Sequence, residues 1–101
     1  MKTIPNKRTT IEINAGTEGV ELLSYAALMK TVMQQPVQGG FSTEEMRKDF
    51  RVLDALTDYL NAEVIPLEDS DFAHFKTKLK TMRWGLAHKD LIAFEDDINA
   101  L

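Results

Sequence analysis

Twenty residues, Phe41 to Leu60 (FSTEEMRKDFRVLDALTDYL), carry both a start signal and an apolar face. Ser42 and Glu45 form an S-x-x-E capping box, in which each side chain can satisfy a backbone N–H at the other residue. Phe41 and Met46 then fall at N′ and N4, the positions of a hydrophobic staple. Met46, Phe50, Leu53, Leu56 and Leu60 come next at helical spacing and share one face. The segment is therefore a helix with a defined start, and it is expected to organise the core. Leu53 is expected at the centre of that face, so that Leu53→Ala costs ~2 to 5 kcal/mol against ~1 for Ser42→Ala.

The rest of the chain has to build one domain around this helix. At 101 residues with 44% hydrophobic content, residues 1–101 are expected to form a single compact domain. The absence of cysteine excludes a disulfide framework, thiolate metal sites and cysteine catalysis. There is no apolar run of ~18 residues and no charged-then-apolar leader, so the expectation is a soluble cytoplasmic protein. The net charge of −4 is uneven. Residues 1–51 hold 7 Lys/Arg against 6 Asp/Glu (+1), whereas residues 52–101 hold 5 against 10 (−5). An acidic second half argues against wholesale coating of nucleic acid, which needs clustered positive charge, while leaving room for a local basic patch.

Before the capped helix, Lys2 to Arg8 is polar, aperiodic and contains Pro5, so residues 1–8 read as an extended arm or a short edge strand. Thr9 to Ile13 alternates like a half-buried strand, Asn14 to Gly19 reads as a turn, and Val20 to Leu22 can pair back as a second strand. Glu21 to Gln35 has a wide apolar stripe (Leu22, Tyr25, Ala26, Met29, Val32, Met33) and predicts a first helix stopped by Pro36. Beyond the capped helix, Glu63 to Leu67 is short and β-branched, and Pro66 limits it to an edge, expected beside Thr9 to Ile13. Leu67 and Phe72 can staple a third helix with an acidic first turn and an inner face of Phe72, Phe75, Leu79 and Met82. Lys76, Lys78, Lys80 and Arg83 take its other sides, and Gly85 suits its C′ position. His88 to Leu101 forms a fourth helix with Leu91, Phe94 or Glu95, and Ile98 inward. The fold class expected is α+β, with about four helices and a small N-terminal hairpin or sheet (strands near 9–13, 20–22 and 63–67).

Few residues carry chemistry. Lys76, Lys80 and Arg83 align at spacings of 4 and 3, with Trp84 at the end of the strip. Cations beside an aromatic platform suit a single nucleic-acid strand or an acidic protein partner. The plainer reading makes the cations a solvated face, with Trp84 folded under the helix end against Leu86 or Leu91. Arg47, Lys48 and Arg51 form a smaller cluster with the same two readings, and Glu44 to Lys48 is an i,i+4 pair. Asp71 and His74 are three residues apart and can hydrogen-bond, whereas His88 suits a helix start or the neighbourhood of a C-cap. The two histidines lack metal-ligand spacing. Glu95, Asp96 and Asp97 point about 100° apart and read as a solvated or partner-facing acidic patch. Ser24, Ser42 and Ser70 look like helix-start residues, with no nucleophile motif around them. No catalytic residue, metal site or cofactor is expected.

The runs GGFS-x-x-EMRK, RVLDAL, LEDSDF and MRWG, spread over roughly residues 38 to 98, resemble those of small uncharacterised proteins encoded in bacteriophages and prophages of Gram-negative bacteria. The resemblance implies a compact phage accessory or morphogenesis protein that works by binding something, and it carries no activity or site residue. The function expected is a non-enzymatic protein-interaction module with a host or virion protein as partner. The alternative is a small nucleic-acid-binding regulator using the basic face with Trp84.

Overall fold

A computed structural model describes residues 1–14, 20–35, 39–85 and 87–101. In chain order the elements are β1 (Lys2–Pro5), β2 (Arg8–Asn14), β3 (Val20–Ser24), α1 (Tyr25–Met33), α2 (Thr43–Asp58), β4 (Val64–Leu67), α3 (Asp69–Lys80) and α4 (Lys89–Asn99). The fold is α+β, with these four helices and two two-stranded antiparallel sheets among the described residues. The expected turn at Asn14 to Gly19 and the stop at Pro36 fall on residues 15–19 and 36–38, outside the described ones.

The N-terminal residues do not trail from the domain. β1 pairs with β4, setting Ile4 opposite Ile65, and both are fully buried. β4 is therefore not the neighbour of Thr9 to Ile13 that its sequence suggests. In a two-stranded sheet each strand is an edge, so Pro5 and Pro66 fit in spite of their missing N–H groups. β2 pairs instead with β3, with a register shift between Arg8 and Glu12. Thr9 spans that irregularity: its hydroxyl donates to the Leu23 carbonyl at 2.7 Å and accepts from the Ile11 amide at 3.2 Å.

The first helix begins four residues later than its apolar stripe suggests. Val20–Ser24 is strand, so Leu22 lies outside α1 and is exposed. Ser24 is the N-cap, accepting from the Ala27 amide at 3.3 Å, and the Asn6 side-chain oxygen accepts from the Ala26 amide at 3.0 Å. The same Asn6 donates to the carbonyls of Leu60 and Ala62 at 3.1 and 2.6 Å. One side chain thus ties the β1–β2 junction to the start of α1 and to the chain leaving α2.

The core lies between α1, α2 and α3, each of which packs on the other two. Tyr25, Ala26, Leu28, Met29, Val32 and Met33 are buried, which makes α1 the most enclosed helix. Phe72, Phe75 and Leu79 form the inner face of α3 as expected, with Met82 half-buried beyond its end. α3 stops at Lys80 with Thr81 as its C-cap, so Gly85 is not at C′. α4 starts from His88, whose Nδ1 accepts from the Asp90 amide at 3.0 Å, and it buries Leu91, Phe94 and Ile98. The Phe94 ring meets Tyr25 edge to face at 5.0 Å between centroids and Trp84 at 6.2 Å.

Candidate interaction surface on helix two

Gly39 and Gly40 have φ of 88° and 80°, in the left-handed region that side-chain-bearing residues disfavour. They deliver Phe41 to the N′ position of α2. Ser42 then caps the helix, its hydroxyl oxygen accepting from the Glu45 amide at 3.1 Å, while Glu45 Oε1 accepts from the Ser42 hydroxyl at 3.5 Å and not from its amide, so half of the capping box forms.

Past this cap, the burial of α2 departs from its sequence pattern. The buried residues of α2 are Asp49, Val52 and Leu56, whereas Leu53 and Leu60 are only half-buried. Met46 is 43% exposed and Phe50 58% exposed. The apolar stripe is wider than the face the core can cover, so one flank is buried and the other stands in solvent. Phe41, Met46, Phe50 and Leu53, with Met33 and Gln34 from the end of α1 and Asp49 at one side, line an open groove of about 340 Å³. Burying an exposed phenylalanine yields about 1.5–3 kcal/mol, and contiguous exposed apolar groups of this kind mark binding surfaces more often than isolated ones do.

The reason α2 turns this way lies across its buried side. Asp49, 5% exposed, faces α3, where His74 Nε2 lies 2.6 Å from its Oδ1. Lys78 Nζ is 3.7 Å from the same oxygen and 3.8 Å from Glu45 Oε2. The Lys78 ammonium also lies 5.0 Å from the centroid of the Phe41 ring. Lys78 is thus a buried residue, 9% exposed, and not part of a solvated face. His74 pairs with Asp49 and not with Asp71, which instead meets Arg51 Nε at 3.3 Å. Among the described residues no hydroxyl hydrogen-bonds the His74 imidazole, and no three acidic or histidine side chains gather to hold a metal ion. The physical role of this cluster is to lock α2 to α3 in one rotation.

The structure keeps Lys76 and Lys80 on α3 but ends that helix before Arg83. Lys76, half-buried, lies 5.7 Å from the Phe72 ring centroid, and Lys80 ends α3. Arg83 and Trp84 lie past the helix, off its register. The Trp84 ring is half-buried against the core, and its Nε1 is enclosed with no hydrogen-bond partner among the described residues. Leu86, one of its expected neighbours, lies outside the described residues. Arg47 and Arg51 remain exposed on α2, and the Glu44–Lys48 pair forms at 3.7 Å.

The acidic end of α4 is also more engaged than an acidic patch would be. Asp97 accepts from the Tyr25 hydroxyl at 2.7 Å and from Lys7 Nζ at 3.1 Å. Near the start of the same helix, Asp90 accepts from both the amide and the hydroxyl of Thr10 at 2.7 Å. These bonds fasten α4 to β2 and α1. Among the described residues no helix is long and apolar enough to cross a membrane. No protein-family model, curated protein or solved structure matches the chain at a significant level.

Proposed function

We propose that this chain is a non-enzymatic protein-interaction module and that its working surface is the exposed face of α2 centred on Phe50. The observation that carries the reading is Phe50 itself, 58% exposed on a helix whose other flank is in the core. A rigid aromatic beside a groove is the kind of anchor that concentrates binding energy, and the groove suits the apolar stripe of a partner helix. The accessory or morphogenesis role in a phage or prophage, acting in the host cytoplasm, is the finer part of the proposal and rests on the sequence resemblance.

The test is affinity capture with the folded chain as bait and Phe50→Asp as the paired control. A host or virion protein recovered by the wild type and lost with Phe50→Asp is the expected result. Recovery that survives Phe50→Asp, or no recovery of any protein, a second tagged copy of this chain included, would sink the reading. A nucleic-acid regulator remains the second reading of the basic residues, with Trp84 half-buried and edge to face with Phe94.

A further inference from the structure

We propose that the exposed face of α2 is covered by the same face of a second copy of this chain, the two helices lying antiparallel about a two-fold axis beside Phe50. This rests on reading that face as an interaction surface and names its occupant.

The side chains around Phe50 are arranged so that the face complements itself. Met46 and Leu53 stand four residues before and three after it, and Arg47 and Asp54 three before and four after. At 3.6 residues per turn, Met46 and Leu53 fall on one flank of Phe50 and Arg47 and Asp54 on the other, each within about 60° of it. Along the axis the members of each pair lie about 4.5 and 6 Å to either side of Phe50. A two-fold axis that reverses the helix direction keeps each flank on its own side. It therefore brings Met46 of one copy onto Leu53 of the other, and Arg47 onto Asp54, with an axial mismatch of only about 1.5 Å.

Each contact occurs twice, as an isologous interface requires. Arg47 and Asp54 are both exposed, and among the described residues neither has an ion-pair partner within its own chain. A parallel two-fold pairing exchanges the flanks and would instead set Arg47 and Asp54 of one copy against Met46 and Leu53 of the other, leaving both charges without a partner. An unrelated partner has no need of a face that is complementary to itself. The charge order thus selects a second copy, and selects its direction.

Sedimentation velocity of the full chain over a concentration series tests this. The wild type is expected to shift to the mass of two chains, and Phe50→Asp to remain at one. Arg47→Asp and Asp54→Arg are each expected to weaken association ~10-fold, since each sets like charges against each other at two symmetric positions. The double variant Arg47→Asp/Asp54→Arg is expected to restore association to within ~3-fold of wild type, because the pair is re-formed with its signs exchanged. Circular dichroism of each variant confirms that it is folded, which is expected because all three positions are exposed. A wild type that stays at one chain throughout, a dimer indifferent to Phe50→Asp, or a double variant no tighter than the singles overturns the proposal. A monomer that still captures another protein in a Phe50-dependent way overturns the dimer and leaves the interaction module standing.

Discussion

Asp49 on α2 and His74 on α3 are joined at 2.6 Å, Oδ1 to Nε2, in a contact that the spacing of neither helix announces. With Lys78 Nζ 3.7 Å from the same oxygen, the carboxylate is the common partner of two groups from the facing helix. It also sets the rotation of α2, because holding Asp49 inward turns Phe50 outward.

Removing Asp49 leaves the buried Lys78 ammonium with only the more distant Glu45. Asp49→Ala is expected to cost about 3 kcal/mol in urea unfolding, the usual consequence of stranding a buried charge. In a Lys78→Met background the same substitution is expected to cost much less, since no ammonium is left to strand. Strict additivity of the two changes would mean that the contact contributes nothing.

Leu56, fully buried, replaces Leu53 as the centre of the inner face of α2. Leu56→Ala is expected to cost ~2 to 5 kcal/mol, whereas half-buried Leu53 should cost clearly less and Ser42→Ala about 1. Phe50→Ser is expected to change monomer stability by no more than ~0.5 kcal/mol, as surface substitutions do. Equilibrium denaturation of the four variants ranks them, and a Phe50 effect as large as that of Leu56 would show that α2 is turned the other way.

Stability should fall at both ends of the pH scale through one contact. The Tyr25 hydroxyl and then Lys7, both hydrogen-bonded to Asp97, hold that carboxyl below its usual range. Burial first, and the Asp97 carboxylate second, push the Tyr25 hydroxyl up. The Asp97 contribution is present above the ordinary carboxyl value of about 3.9 and is lost as pH falls through its lower folded value. The Tyr25 contribution is present below the ordinary phenol value of about 10 and is lost as pH rises through its higher folded value. Tyr25→Phe is expected to cost about 1 kcal/mol near neutral pH and to flatten both limbs. Thermal melts across a pH series check this, and limbs unchanged by the substitution would assign them to other groups.

Trp84 is the one tryptophan of the chain, so its fluorescence reports this site alone. Its emission is expected to shift to the red on unfolding, and to stay unchanged on titration with single-stranded oligonucleotide at low salt. Quenching that Lys80→Glu with Arg83→Glu removes would restore the nucleic-acid reading.

Much of the local structure is legible from the chain itself. Ser42 and Glu45 start α2, Ser24 and His88 cap α1 and α4, and the inner faces of α3 and α4 follow their periods. These features depend on residues three or four positions apart, whose geometry the helix supplies. The candidate surface was legible only in part. The exposed cations Arg47 and Arg51 and the stripe containing Phe50 are plain in the sequence, but which flank of that stripe faces water is not.

Three features depended on partners far along the chain. β1 has one buried apolar residue, Ile4, and its pairing partner Ile65 lies sixty-one positions away, so the local pattern left arm and edge strand open and the pairing chose the strand. Asn6 looks like a loop residue until the ends of α1 and α2 converge on it. Lys78 reads as one more surface lysine until Asp49 and Glu45 meet it from α2. Caps and staples locate the starts of α2, α3 and α4 from the chain alone, whereas the start of α1 moved four residues because Val20–Ser24 is strand. The rotation of α2 came from long-range packing, because an apolar stripe wider than its contact can be buried by either flank, and the buried cluster of Asp49, His74 and Lys78 between two helices chose which.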